Sequence, residues 1–235
     1  MNKITTAAAI AALMAAPSLQ ALPGLPDIAV GATAGTAGIG GQVTVGVLPF
    51  LNARASVQGF NYSRSINSDG IDYDGKLKLL TYGAYLDVYP FLVGPRISAG
   101  LVGNGNKVDL RATCPNTCSV GDVTVTGSNA LVTGNLGFRN VAPYLGLGIS
   151  NPMKGLPFYV GLDAGVLFHG RPKPSLRASG TATVTDAQGN TRENVDLATD
   201  PDVQNAIATE QANVSDDIRK YKFYPVVQLS IGWRF

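Results

Sequence analysis

The spacing from Gly70 to Lys76 is that of a loop that cradles phosphate. However, Leu77 stands where a serine or threonine would reach magnesium, and strand-like residues follow where a helix is needed. Nucleotide binding is therefore set aside. The overlapping Asn67, Asp69, Asp72 and Asp74 gather oxygen ligands of the kind calcium takes, yet an EF-hand frame opening at Ser65 has no acid at its first position and Lys76 at its twelfth. A solvated loop is the expectation, with a weak calcium site as its alternative. Cys114 and Cys118 are the only cysteines. In an oxidising compartment they are expected to form a local disulfide. Metal binding would need two further ligands, and redox chemistry would want a two-residue spacing beside a helix. His169, the single histidine, would need a Ser or Asp partner for hydrolysis, and nothing in the chain places one beside it. It reads as a polar residue at a barrel mouth. No catalytic residue, metal or cofactor is expected, and an enzyme acting on lipid or peptide is kept as a minor alternative.

A different constellation comes from charges that fall on the polar faces of alternating segments: Arg54, Asp87, Asp163 and Arg234. An isolated charge in a narrow interior is very costly, so these four are expected to pair. Paired, they would form a structural plug; hydrated, they would line a gate or solute path.

The elements that position them repeat every two residues, the period of a strand whose side chains alternate between faces. In Phe158 to His169, Phe158, Val160, Leu162, Ala164, Val166 and Phe168 face one way, and Tyr159, Gly161, Asp163, Gly165 and His169 the other. Leu80 to Tyr89, Ile39 to Val47 and Phe223 to Phe235 follow the same rule. Segments near Ile28 to Gly35, Ala53 to Ser63, Arg96 to Asn106 and Val141 to Ser150 bring the number to eight. Connections alternate between short (Leu48 to Asn52, Phe91 to Pro95, Asn151 to Pro157) and long (Arg64 to Lys76, Ala112 to Asn140, Ala178 to Lys220). This is the sequence form of an all-β, closed antiparallel transmembrane barrel of about eight strands, with short periplasmic turns and long extracellular loops. Within the last loop, Asp200 as cap, Pro201 at the first turn, and Val203, Ile207, Val214 and Ile218 at near-helical spacing predict a short helix. A secreted β-sandwich is the rival architecture; its polar faces would carry fewer glycines and more charges.

Membrane export agrees with the first residues. Lys3 precedes an apolar run from Ile4 to Ala16, and Pro17-Ser18-Leu19-Gln20-Ala21 follows. Residues 1–21 are expected to be a signal peptide cleaved after Ala21, and residues 22–235 the barrel domain. Loss of Lys3 leaves 17 of the 18 Lys+Arg against 16 Asp+Glu. So near-neutral a chain has no electrostatic footprint for nucleic acid.

Tyr89, Phe91, Phe158, Trp233 and Phe235 suit an aromatic girdle at the membrane boundary. The closing stretch Tyr224 to Phe235, with Trp233 and the final Phe235, resembles the targeting strand read by the barrel assembly machinery of outer membranes. Val141-Ala142-Pro143-Tyr144-Leu145-Gly146-Leu147-Gly148, Gly170-Arg171-Pro172-Lys173 and Tyr221 to Phe235 resemble the carbapenem-associated outer-membrane barrel family over the last 95 residues or so. That resemblance implies an eight-stranded barrel in outer-membrane lipid with a disputed role in uptake of small solutes such as basic amino acids, and it brings no functional residues. Two functions stay open: a passive channel or binding barrel for small solutes, and a structural or surface-interaction barrel with a filled interior. Neither the solute nor the oligomeric state is written in the sequence.

Overall fold

A computed structural model describes residues 27–235 apart from 69–70, 93, 115, 121, 128–129 and 155. The expected signal segment lies outside the described residues, as do Asp69 and Gly70. The elements in chain order are β1 (Ile28–Gly35), β2 (Gly38–Leu48), β3 (Leu51–Ser68), β4 (Ile71–Val88), β5 (Pro95–Asn104), β6 (Lys107–Cys114), β7 (Thr117–Val120) and β8 (Val123–Thr126). They continue with β9 (Ala130–Gly137), β10 (Val141–Ile149), β11 (Phe158–Leu167), β12 (Lys173–Ser179), β13 (Thr181–Thr185), β14 (Thr191–Asp196), α1 (Pro201–Ile218) and β15 (Tyr224–Arg234).

Eight of these strands close a ring in the order β1-β2-β3-β4-β5-β10-β11-β15, with β15 returning to β1 and every pair antiparallel. They are the eight segments expected from the alternation. Closure follows from the solvent outside. Val43, Val57, Leu86, Leu101, Leu147, Val160, Leu229 and Ile231 all point outward with about half of their surface exposed. An apolar band of this kind belongs in hydrocarbon, where an unpaired backbone edge would cost several kcal/mol per group.

The long connections are more ordered than expected. Arg64 to Lys76 is not a loop: β3 and β4 run on as one 18-residue-per-strand hairpin in unbroken register, from Leu51↔Val88 to Ser68↔Ile71. At ~3.3 Å per residue such a strand reaches ~60 Å, twice the ~30 Å hydrocarbon core, so half of it stands clear of the membrane. Asn67 donates to Asp72 across it at 2.7 Å, and Ser65 donates to Asp74, so Asn67, Asp72 and Asp74 have partners within the hairpin. Lys76 sits mid-strand, where no phosphate-binding turn exists. Ala112 to Asn140 and Ala178 to Lys220 likewise hold strands. β6, β9 and β12 extend the hairpin sideways from β4, while β7, β8, β13 and β14 form a second, four-stranded sheet.

Above the membrane the two sheets and α1 enclose a dry core of Cys114, Val125, Ala130, Ala178, Val184, Leu197, Val203 and Ile207. The helix begins as expected. Asp200 accepts from the backbone N–H groups of Asp202 and Val203 at 3.1 and 3.2 Å. Arg192 on β14 grips Asp200 at 2.5 Å and Asp202 at 2.6 Å. Gln211 accepts from the Leu176 N–H at 2.9 Å, so the helix covers part of the free edge of β12. Cys114 and Cys118 are bonded to each other, tying β6 of the large sheet to β7 of the small one.

Two outcomes follow for this cap. Intact mass after thiol alkylation without reductant should show neither cysteine alkylated, and reduction should loosen cap amides while leaving the barrel's heat-modifiable migration unchanged. Burial opposes the charge on Asp200, but the hydrogen bonds from Arg192 and Val203 prevail and hold its carboxyl below the usual range. Its stabilising effect should therefore be complete above the ordinary carboxylate pKa of ~3.9 and be lost as pH falls through the lower folded value. Asp200→Ala should cost α1 ~1 kcal/mol at neutral pH, read by amide exchange, and the difference from wild type should vanish in strong acid.

Candidate functional site

Inside the ring, four strands each offer one charge. Arg54 on β3 donates to Asp87 on β4 through Nε at 2.7 Å and Nη2 at 3.0 Å. Arg96 on β5 donates from Nη2 to both carboxylate oxygens of Asp163 on β11, at 2.6 and 2.7 Å. The pairs are cross-linked, with Arg54 to Asp163 at 4.0 Å and Arg96 to Asp87 at 3.9 Å. Two positive and two negative charges thus alternate, and all four side chains are at most 3% exposed. Each ion has two opposite neighbours, which offsets the desolvation of burying it.

The surroundings complete the network. Ser98 donates to Asp87 at 2.6 Å, and the Arg54 guanidinium lies over the Tyr85 ring at 4.5 Å. Arg96 Nη1 reaches the Ser150 carbonyl at 2.9 Å and the Tyr89 hydroxyl at 3.3 Å. Gln42 bridges Tyr159, Arg54 and Gln228 at 3.1, 3.5 and 3.3 Å.

Glycine is what lets Arg96 and Asp163 meet. They lie on strands that flank β10, both in register with Gly148. A Cβ on Gly148 would stand 2.5 Å from Asp163 Oδ1 and 2.7 Å from Arg96 Nε. The inward glycines near the tyrosines act alike. A Cβ on Gly165 would meet the Tyr144 hydroxyl at 2.4 Å, and one on Gly31 the Tyr159 hydroxyl at 2.2 Å. Glycine on the polar face is thus the space that large inward side chains occupy.

Of the four charges expected inside, the structure brings together Arg54, Asp87 and Asp163. Arg234 is a correction. It ends β15 at the rim, where it donates to the Met153 carbonyl at 2.7 Å. Arg96 takes its place. The signal is present in the alternation of Arg96, Ser98, Gly100, Val102 and Asn104 against Ile97, Ala99, Leu101 and Gly103, but Arg96 stands at the strand's start, where a charge also suits a strand boundary. Tyr89 is a second correction. It is 1% exposed and turned into the barrel, whereas Phe91, Phe158 and Trp233 are exposed at the short-turn end, the last two with ring centroids 6.5 Å apart.

His169 is buried at the opposite rim, edge-on to Phe138 with centroids 5.2 Å apart, and its Nδ1 has no hydrogen-bond partner. Among the described residues no three His, Cys, Asp or Glu side chains come together as a metal site. Above the charge cluster, toward the long-loop end, is a hollow of about 20 Å³ lined by Arg54, Gln58, Thr81, Tyr85, Asn106, Tyr144 and Gln228, among others. That is room for about one water.

Compared with protein-family models and with curated proteins, the sequence finds no match. Among solved structures, CarO2 of Acinetobacter baumannii matches with a TM-score of 0.56 at 20% identity, over 90% of this chain and 99% of that one. CarO of Acinetobacter baumannii matches with a TM-score of 0.55 at 21% identity, over 90% and 98%. The resemblance carried by Val141 to Gly148, Gly170 to Lys173 and Tyr221 to Phe235 leads to the same architecture. In fold, the chain is a closed, eight-stranded antiparallel β-barrel like that of CarO.

Proposed function

We propose that the protein is an integral outer-membrane barrel with a closed interior, anchoring an extracellular cap that is its working surface. The observation that carries this reading is the alternating cluster of Arg54, Asp87, Arg96 and Asp163, drawn from four of the eight strands. An eight-stranded ring has an interior only just wide enough for side chains to fill it. Here the filling is ionic, each charge lying within 4.0 Å of two opposite ones, with space for about one water above it. A passive small-solute channel is the competing reading, and it requires the cluster to part. Nothing in the arrangement points to hydrolysis or group transfer.

The reading includes export with loss of residues 1–21 and insertion by the barrel assembly machinery, which would read the strand ending in Trp233 and Phe235. Trp233 is half exposed on the lipid face. At the membrane boundary a charge on that face costs only about 1 kcal/mol or less, so the main effect of an acid there is expected on recognition of the strand during assembly. Removal of Phe235, or Trp233→Asp, should lower outer-membrane yield and the fraction that shows heat-modifiable migration. Normal values for both variants would count against insertion by this strand.

Purified protein in planar bilayers should stay silent. Asp87→Ala leaves Arg54 without its bidentate partner and should lower stability by ~3–5 kcal/mol, the usual loss for a broken buried pair. Changing Arg54 and Asp87 together to apolar residues should restore much of it. Steady single-channel current from the wild type, or an Asp87→Ala variant that keeps its unfolding midpoint but changes ion preference, would favour the hydrated-path reading instead.

A further inference from the structure

The sheet shared by barrel and cap exchanges its apolar face at the membrane surface. Along β4, Leu80, Tyr82, Leu86 and Val88 are outward and exposed, whereas Asp72, Asp74, Lys76 and Lys78 continue that same face beyond the membrane. The inner face does the reverse. Arg54 and Gln58 on β3 are followed by Phe60 and Tyr62, then by Arg64 and Ile66 nearer the tip, and Thr81 on β4 is preceded by Leu79, Leu77, Gly75 and Tyr73. Cross-strand register pairs Phe60 with Leu79, Tyr62 with Leu77 and Ile66 with Tyr73. Toward β12 this apolar face is covered by α1 and the small sheet. Toward β3 it is bare: Phe60 is 46% exposed, Tyr62 50%, Ile66 49% and Tyr73 44%. Bare aromatic and aliphatic side chains outside hydrocarbon mark a binding surface.

The bare shelf descends into the hollow above the ion cluster, since Gln58 lies one step below Phe60 on the same face and lines that hollow. Gln58 is 3% exposed. Its amide nitrogen donates to Gln228 at 2.5 Å, yet its oxygen has no partner. A buried acceptor without a donor is costly and is ordinarily met by a ligand or water. The hollow admits a group about the size of one water, such as a hydroxyl. Arg54, the one charged residue lining it, is already matched by Asp87. The site therefore asks for a neutral head with a hydrogen to donate, on a body that lies along aromatic rings.

We propose that the barrel mouth and this shelf form an extracellular binding site for a small neutral amphiphile. Such a ligand is an aryl or alkyl body carrying one hydroxyl donor, its head on Gln58 Oε1 and its body against Phe60, Tyr62, Leu77 and Leu79. Lipid tails do not take the place, because the reverse of the same strands is charged and lies outside the hydrocarbon. Binding here is independent of whether the ion cluster ever parts.

The test titrates the full barrel in nanodiscs, against empty nanodiscs, with naphthol and with methoxynaphthalene, which has the same ring and no donor. Naphthol should bind saturably beyond the empty discs and about tenfold or more tighter than the ether, since a site built around a buried hydrogen bond rejects a ligand that cannot make it. Gln58→Leu should abolish that preference, and Tyr62→Asp should weaken both compounds, with heat-modifiable migration unchanged in each variant. Uptake equal to empty discs, equal affinity for the two compounds, or a preference that survives Gln58→Leu would overturn the proposal. Concentration-dependent dimerisation lost in Tyr62→Asp would also overturn it, by assigning the shelf to a second copy of the chain.

Discussion

Hydrocarbon offers no partner to a backbone N–H or C=O, and from that one constraint the rest of this molecule follows. Each spanning strand must be flanked on both sides, so the sheet closes, and with eight strands it closes tightly. Outward positions meet lipid and are apolar. Inward positions meet one another across a space too narrow for bulk water, so a charge placed there needs an opposite charge among the other inward residues. Four charges from β3, β4, β5 and β11 do so by alternating in sign. The arrangement is possible because Gly148 leaves the strand between Arg96 and Asp163 without a side chain at that level.

What the sequence made legible was whatever depends on a repeating local pattern. All eight ring strands stand out because alternation between lipid and interior is imposed along each strand separately. The α1 cap is legible because Asp200 and Pro201 act on neighbouring backbone groups. Pairing across distant parts of the chain leaves no such trace. The upper halves of β3 and β4 alternate as regularly as the lower halves, but with the apolar set moved to the other face. A reader following the membrane's pattern sees it stop at Arg64 and infers a loop. β7, β8, β13 and β14 are four to six residues each, and they are held by one another and by a shared core more than by their own periodicity.

The candidate site shows the same division. Arg54, Asp87 and Asp163 were visible as charges on polar faces. Choosing their partner required knowing which strand ends reach the same level. Arg234 and Arg96 both lie at the short-turn end of a strand on its inward face, and sequence alone does not rank them. In the folded ring, Arg96 is two positions from Ser98, which faces Asp87, and level with Gly148 and Asp163. Arg234 instead pairs with Ala29 at the outermost rung and donates to the Met153 carbonyl of the turn.

One continuous hairpin therefore serves two solvents, and the place where its faces exchange polarity fixes what each half can do. Below the exchange the inner face is committed to ion pairs that reach across the ring. Above it the outer face is hydrated and the inner face must find apolar cover, which α1 and the small sheet supply only on the β12 side. A closed wall and an incompletely covered cap are consequences of the same strands. Since the wall is held by buried charge pairs and the cap by a separate apolar core joined through Cys114 and Cys118, sequence change in the cap can alter what the outer surface meets without disturbing the ring beneath it.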